Sequence, residues 1–249
     1  MGKGILNISN TEQHLSIICS SLLVAIAKQQ QPTMSNALLS ALWDMHRMCH
    51  QDIIESSHNI LSFGLKEQDI NNAVRLLEGE LLDQCPTAKP LKQSISYLLD
   101  ELTCNMQQHS QASFGLAYLA YNKSTNTIDI ALADAGITIY GSYVKAEKYL
   151  NLIGESDAEA LCLAQEGYST KDLPEAENRG YGLSSNINMV TNGLKGEFAI
   201  VSGCAMSIFT ANDSKLFALP EETEWNGTLV VTRIPIDMPQ SYNFYNYIS

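Results

Sequence analysis

The chain has 249 residues, 45% of them apolar and 17% charged, so it carries ample material for a packed core and less charge than the roughly 25% of an average globular chain. Fifteen Lys and Arg against 27 Asp and Glu leave a formal charge of −12. That balance argues against nucleic acid or an anionic membrane as the main ligand, because both call for a cationic face.

In chain order, the opening Met-Gly-Lys-Gly-Ile-Leu-Asn runs into polar Glu12, Gln13 and His14, which is no signal-peptide pattern. Residues 12–30 carry Leu15, Ile18, Cys19, Leu22, Leu23 and Ile26 at helical spacing. A second stripe after Pro32 runs through Leu38, Ala41, Leu42, Met45, Cys49 and Ile53, and a third after Gly64 through Ile70, Val74, Leu77 and Leu81. Pro86 and Pro90 then punctuate the chain, so residues 1–88 read as a helical N-terminal region. Residues 91–109 form a further helix, followed by strands at 114–121 and 127–134 joined by the hairpin composition of residues 122–126. Ile128, Ile130 and Leu132 alternate with Asp129, Ala131 and Ala133, the pattern of a half-buried strand. Short helices are expected at 145–153 and 156–166, a polar segment at 167–179, a helix from Gly180 to about Gly193, and strands at 197–202, 204–211 and 228–236. Consecutive strands with helices set between groups of them predict an α/β (α+β) two-layer sandwich with a mixed, mostly antiparallel sheet over residues 89–238. Residues 239–249 form a tail whose Tyr242–Tyr247 stretch alternates aromatics with Asn, fit to dock either on the domain or on a partner. No stretch approaches the ~20 apolar residues of a membrane span. The six scattered cysteines include no C-x-x-C pair, so a reduced cytoplasmic protein without a zinc site is expected.

Four stretches carry chemistry. In helix 91–109 the apolar stripe is Leu91, Ile95, Leu98, Leu99, Leu102 and Met106, and Glu101, Asn105 and His109 form a near-axial row along its edge. A carboxylate, a carboxamide and an imidazole bordering the core need polar partners that a ligand would supply; the alternative is the solvated flank of an ordinary amphipathic helix. Asp134 ends a buried strand and is followed by Ala135 and Gly136, which permit close approach of a ring bearing an amino group, or simply make a turn. Gly180-Tyr-Gly182-Leu183 opens a helix, either an anion site of backbone N–H groups or a flexible cap. Trp225-Asn-Gly227-Thr228 is a turn that sets a hydroxyl at the head of the last strand.

The order and spacing of these four stretches, over roughly residues 90–238, resemble the GHKL superfamily of ATP-binding domains. That superfamily includes gyrase B, sensor histidine kinases, MutL and the anti-sigma serine kinases. Arg179-Gly-Tyr-Gly-Leu, followed by Val201-Ser202-Gly203, looks most like the histidine-kinase type. The resemblance implies a Bergerat-type ATP-binding fold with ATP and Mg²⁺. Asn105 would be the metal ligand, Glu101 the general base, and His109 would lie near the phosphates or the lid. Asp134 would accept from the adenine amino group with Gly136 behind the ring, Gly180, Gly182 and Leu183 would cradle the phosphates, and Thr228 would bond near Asp134. Residues 140–179 would include the lid. The motif departs from the family where Thr138 stands in place of a second glycine after Gly136. His46-Arg, His50-Gln and His58-Asn match no phosphoacceptor pattern, so histidine autophosphorylation is not expected. The resemblance thus implies an Mg-dependent ATPase coupling nucleotide state to a protein partner or homodimer. A serine protein kinase or a nucleotide-gated binding module without turnover are the alternatives.

Overall fold

The computed structural model describes residues 60–123, 125–170, 181–219 and 224–248. The first two helical stripes, Arg179 and Gly180 lie outside the described residues. The chain runs β1 (Ile60–Gly64), α1 (Glu67–Gln84), a 3₁₀ turn (Pro86–Leu91), α2 (Lys92–His109), β2 (Phe114–Asn122) and β3 (Thr127–Asp134). Three short helices follow, α3 (Ile139–Ala146), α4 (Leu150–Ile153) and α5 (Asp157–Gln165), then α6 (Tyr181–Asn188), which ends in a π turn at Met189–Gly193. Four strands complete the sheet: β4 (Glu197–Gly203), β5 (Ala205–Phe209), β6 (Ser214–Ala218) and β7 (Trp225–Pro235).

The seven strands form one sheet in the order β1-β2-β3-β7-β4-β5-β6. Every pairing among the described residues is antiparallel, so the expected mixed sheet is antiparallel there throughout. Helices lie against one face. Ile70, Val74, Leu77 and Leu81 of α1 and Ile95, Leu98 and Leu99 of α2 share a core with Ile128, Ile130, Ile200 and Val230 of the sheet. The helical face is thus assembled by 3.6-residue stripes on strands of period two. β1 pairs with β2, and α1 sits in this same core, so the boundary expected at residue 88 falls inside continuous packing.

Several elements differ from expectation. β3 is buried along its whole length, with Ile128, Ile130 and Leu132 in one cluster and Ala131 and Ala133 in another on the opposite face. Asp129 escapes an uncompensated charge there through Arg233, its register partner on β7, whose Nε and Nη2 donate at 2.9 and 3.2 Å. Burial still holds the Asp129 carboxyl above its ordinary range, with the Arg233 bonds pulling it back. The helix expected at 145–153 is two, α3 beginning at Ile139, because the Thr138 hydroxyl accepts from the Gly141 N–H at 3.0 Å and caps a turn that Gly141 alone would disfavour. β6 lies in what reads as loop, a mostly exposed edge strand without alternation. The aromatic tail docks on the domain: the Tyr242 hydroxyl bonds Ser94 at 2.6 Å, and Phe244 meets Tyr97 of α2 edge-on at 5.6 Å.

Candidate functional site

The row on α2 opens the site. Leu102 and Met106 point into the core, while Glu101, Asn105 and His109 are half-buried and line a cavity. The cavity encloses about 940 Å³ of empty space, its solvent-open mouth included. Its floor is apolar, made by Leu132, Ile200 and Val230 on β3, β4 and β7. The opposite wall comes from α3, through Ser142 and Tyr143, and from the chain at Tyr168–Thr170.

Asp134 closes the inner end, 4% exposed. Its Oδ1 accepts the Gly136 N–H at 3.0 Å, and the Thr228 backbone N–H donates to it as well. Burial pushes this carboxyl from 3.8 up to about 7, with the two N–H donors holding it back. The turn around it is tight. A Cβ on Gly136 would run into the carbonyl oxygen of Ser110, to which Ile137 N–H donates at 2.6 Å. Gly227 has φ +105°, and a Cβ there would strike the Asp134 backbone and carboxylate. Packing therefore requires glycine at position 136, and packing and backbone conformation together require it at position 227.

Ser202 binds these parts together. Its hydroxyl accepts from Ile139 N–H at 2.9 Å, donates to Gly227 O at 2.8 Å and lies 3.4 Å from the Thr228 hydroxyl. The start of α3 is thereby tied to the head of β7. Thr138, where the resemblance would set a glycine, has φ −69° and serves as the α3 N-cap, so the backbone there has no need of glycine.

At the outer end, α6 begins against α2. A Cβ on Gly182 would run into the Glu101 carboxylate, so Gly182 lets that side chain lie against the start of α6. Tyr97, one turn before Glu101, has its phenol raised by burial and by the Glu101 charge, and a Ser185 hydrogen bond opposes the rise. His109 Nδ1 lies 2.9 Å from the Thr170 hydroxyl, which in turn lies 3.1 Å from Ser142. Tyr143 donates to the Tyr168 carbonyl at 2.6 Å. Residues 168–170 are thus strapped across α2 and α3.

Glu101, Asn105, His109, Asp134, Gly182, Leu183 and Thr228 all line this one cavity. Gly136 stands behind Asp134 and does not line it, and Gly180 lies outside the described residues. Sequence reasoning passed over Ser142, Tyr143, Thr170 and the bridging role of Ser202. A Thr-x-x-Gly cap signal at Thr138 was available; Ser and Thr in a polar segment carry no signal of their own. Among the described lining residues the carboxyl groups are Glu101 and Asp134, and there is no Lys or Arg. The cavity therefore offers a buried acceptor at Asp134, an apolar floor, and a carboxylate, carboxamide and imidazole spaced along α2 between the start of α6 and residues 168–170. That arrangement suits a long ligand with an amino-bearing ring at one end and a polar head at the other.

No protein-family model matches the chain, and no curated protein matches it.

Proposed function

We propose that the cavity binds ATP with magnesium and that the protein is a GHKL-type ATPase with a Bergerat-type fold. The observation that supports this reading is the convergence of four distant stretches, around residues 101–109, 134, 182–183 and 228, on one cavity. The donor set fits the ligand. Asp134, bracketed by glycines, is an acceptor for an exocyclic amino group, and the apolar floor suits a purine face. Gly182 and Leu183 open α6, where backbone N–H groups and the helix dipole favour phosphate. Among the described residues no group of three or more His, Cys, Asp or Glu side chains could hold a metal. Magnesium carried in with the nucleotide would take the Asn105 carboxamide oxygen and complete its shell from phosphates and water, its usual habit. It would supply charge neutralisation that the lining side chains lack.

In turnover, Glu101 accepts a proton from the water that attacks the terminal phosphorus, and the bond to the ADP oxygen breaks. His109, hydrogen-bonded to Thr170, links the phosphate end to residues 168–170. Nucleotide-dependent movement of α3 and residues 168–170 would then carry the bound state to a protein partner or a second copy.

Calorimetry with a non-hydrolysable ATP analogue tests the reading. Asn105→Ala is expected to abolish magnesium-dependent binding, whereas Glu101→Ala is expected to bind normally and release no phosphate from ATP. Equal Mg-ATP affinity in Asn105→Ala and the parent removes the metal assignment. Phosphate appearing on an added protein, and not in solution, turns the assignment from ATPase to kinase.

A further inference from the structure

The sheet has a second face, and no described helix accounts for its burial. On β3, Ile128, Ile130 and Leu132 face the helices, so Ala131 and Ala133 face away; on β7, Leu229 and Val231 point the same way as these alanines. They belong to a cluster of nine buried residues, all of them from strands. Leu229 is 0%, Met206 2% and Val231 3% exposed. Side chains of this size stand up from a sheet, and their tips meet water unless a further layer lies on them. Trp225 belongs to the same cluster, and its indole N–H is buried without a partner, so what lies over it offers apolar surface and no acceptor at that point.

We propose that residues 12–53 of this chain form that layer, setting the apolar stripes of two amphipathic helices across the outer face of the sheet. Fifty-nine residues precede Ile60, and the chain joins the sheet through β1, the edge strand beside β2. The segment therefore ends a few residues short of the rim of the face it covers. A helix over residues 12–30 would be about 28 Å long at ~1.5 Å per residue, which matches the ~29 Å across seven strands spaced ~4.8 Å apart. Each of the two stripes, one through Leu15, Ile18 and Leu22 and the other through Leu38, Leu42 and Met45, needs an apolar surface to bury it. The outer face is the one apolar surface of the described residues that is buried without a described cover. The inference stands independently of the nucleotide reading, because it concerns the face opposite the cavity.

The test is photo-crosslinking of the full chain, with a benzophenone amino acid replacing Tyr118 or, separately, Phe217. Both are half-buried aromatics packed against this cluster, on β2 and β6, so either variant alone carries the test. Isotopically light and heavy copies are mixed before irradiation. The expected result is cross-links within one copy, from the probe to peptides of residues 12–53. Cross-links joining light to heavy copies would assign the face to a second copy and overturn the proposal. Cross-links to any other segment, or none from either position, overturn it as well.

Discussion

Asp134 is the residue on which the chemistry of the cavity turns. Its carboxyl is moved by burial from 3.8 up to about 7, against two backbone donors. The sign of the effect on stability follows. Between those values the folded protein holds a proton that the unfolded chain has released, so this residue's contribution is complete below about pH 4 and is lost as pH rises through about 7. Ligand binding runs the other way. An amino group donating to Asp134 is best served by the carboxylate, so affinity for an adenine compound is expected to fall roughly tenfold from pH 8 to pH 6 as the ionised fraction declines. Adenosine separates this from phosphate titration, and Asp134→Asn isolates the contribution of Asp134, because an amide oxygen accepts at either pH. A titration in which parent and Asp134→Asn share one pH profile would remove Asp134 from the binding role. The same residue distinguishes ring from phosphate recognition: Asp134→Ala is expected to weaken adenine nucleotides and to leave inorganic tripolyphosphate binding unchanged.

At the scale of elements, β3 and β7 hold the cavity floor in register, and Asp129–Arg233 is the polar pair in their ladder. Asp129 is 3% exposed, whereas the Arg233 side chain reaches further out at 22%. Replacing such a pair by apolar residues is often tolerated, but removing the cation alone leaves a buried carboxylate. Arg233→Ala is therefore expected to cost about 3–5 kcal/mol in urea unfolding at neutral pH. The loss shrinks at acid pH, where Asp129 takes up a proton; a loss that stays constant with pH would mean that Arg233 contributes packing only. These elements also show what the sequence can and cannot declare. The row Glu101, Asn105, His109 was legible because three polar residues four apart beside an apolar stripe can lie only along the stripe's edge. The two-sided burial of β3 was not, because alanine on the second face is compatible with either water or packing. α3 was displaced for a related reason: what carries the helix back through Gly141 and Ser142 is the Thr138 cap together with burial of Tyr143, a tertiary effect.

At the scale of the molecule, the cavity is shared between layers. α2 and α6 supply one wall, α3 another, and three strands the floor, so no single element can form it alone. The convergence of residues far apart in sequence was legible only as a resemblance of spacing, since periodicity places side chains on their own element and says nothing of which elements meet. The aromatic tail shows the same limit. Its composition left domain and partner equally open, and the contacts of Tyr242 and Phe244 with α2 decide for the domain. Because α2 carries both the tail and the site row, and packs on the sheet that forms the floor, unfolding of either layer destroys the cavity. A ligand of the folded state must then stabilise the whole body, by about 2.7 kcal/mol at a hundredfold excess over its Kd. For a chain of this size that corresponds to a rise in Tm of roughly 5–10 °C. Mg-ATP is expected to produce that shift in a single transition followed by circular dichroism. ATP with a metal chelator is expected to produce a clearly smaller one, and Asn105→Ala should make the two conditions equal. A shift confined to an early, partial transition would mean that the ligand holds only α3 and residues 168–170, and that the floor of the sheet takes no part in binding.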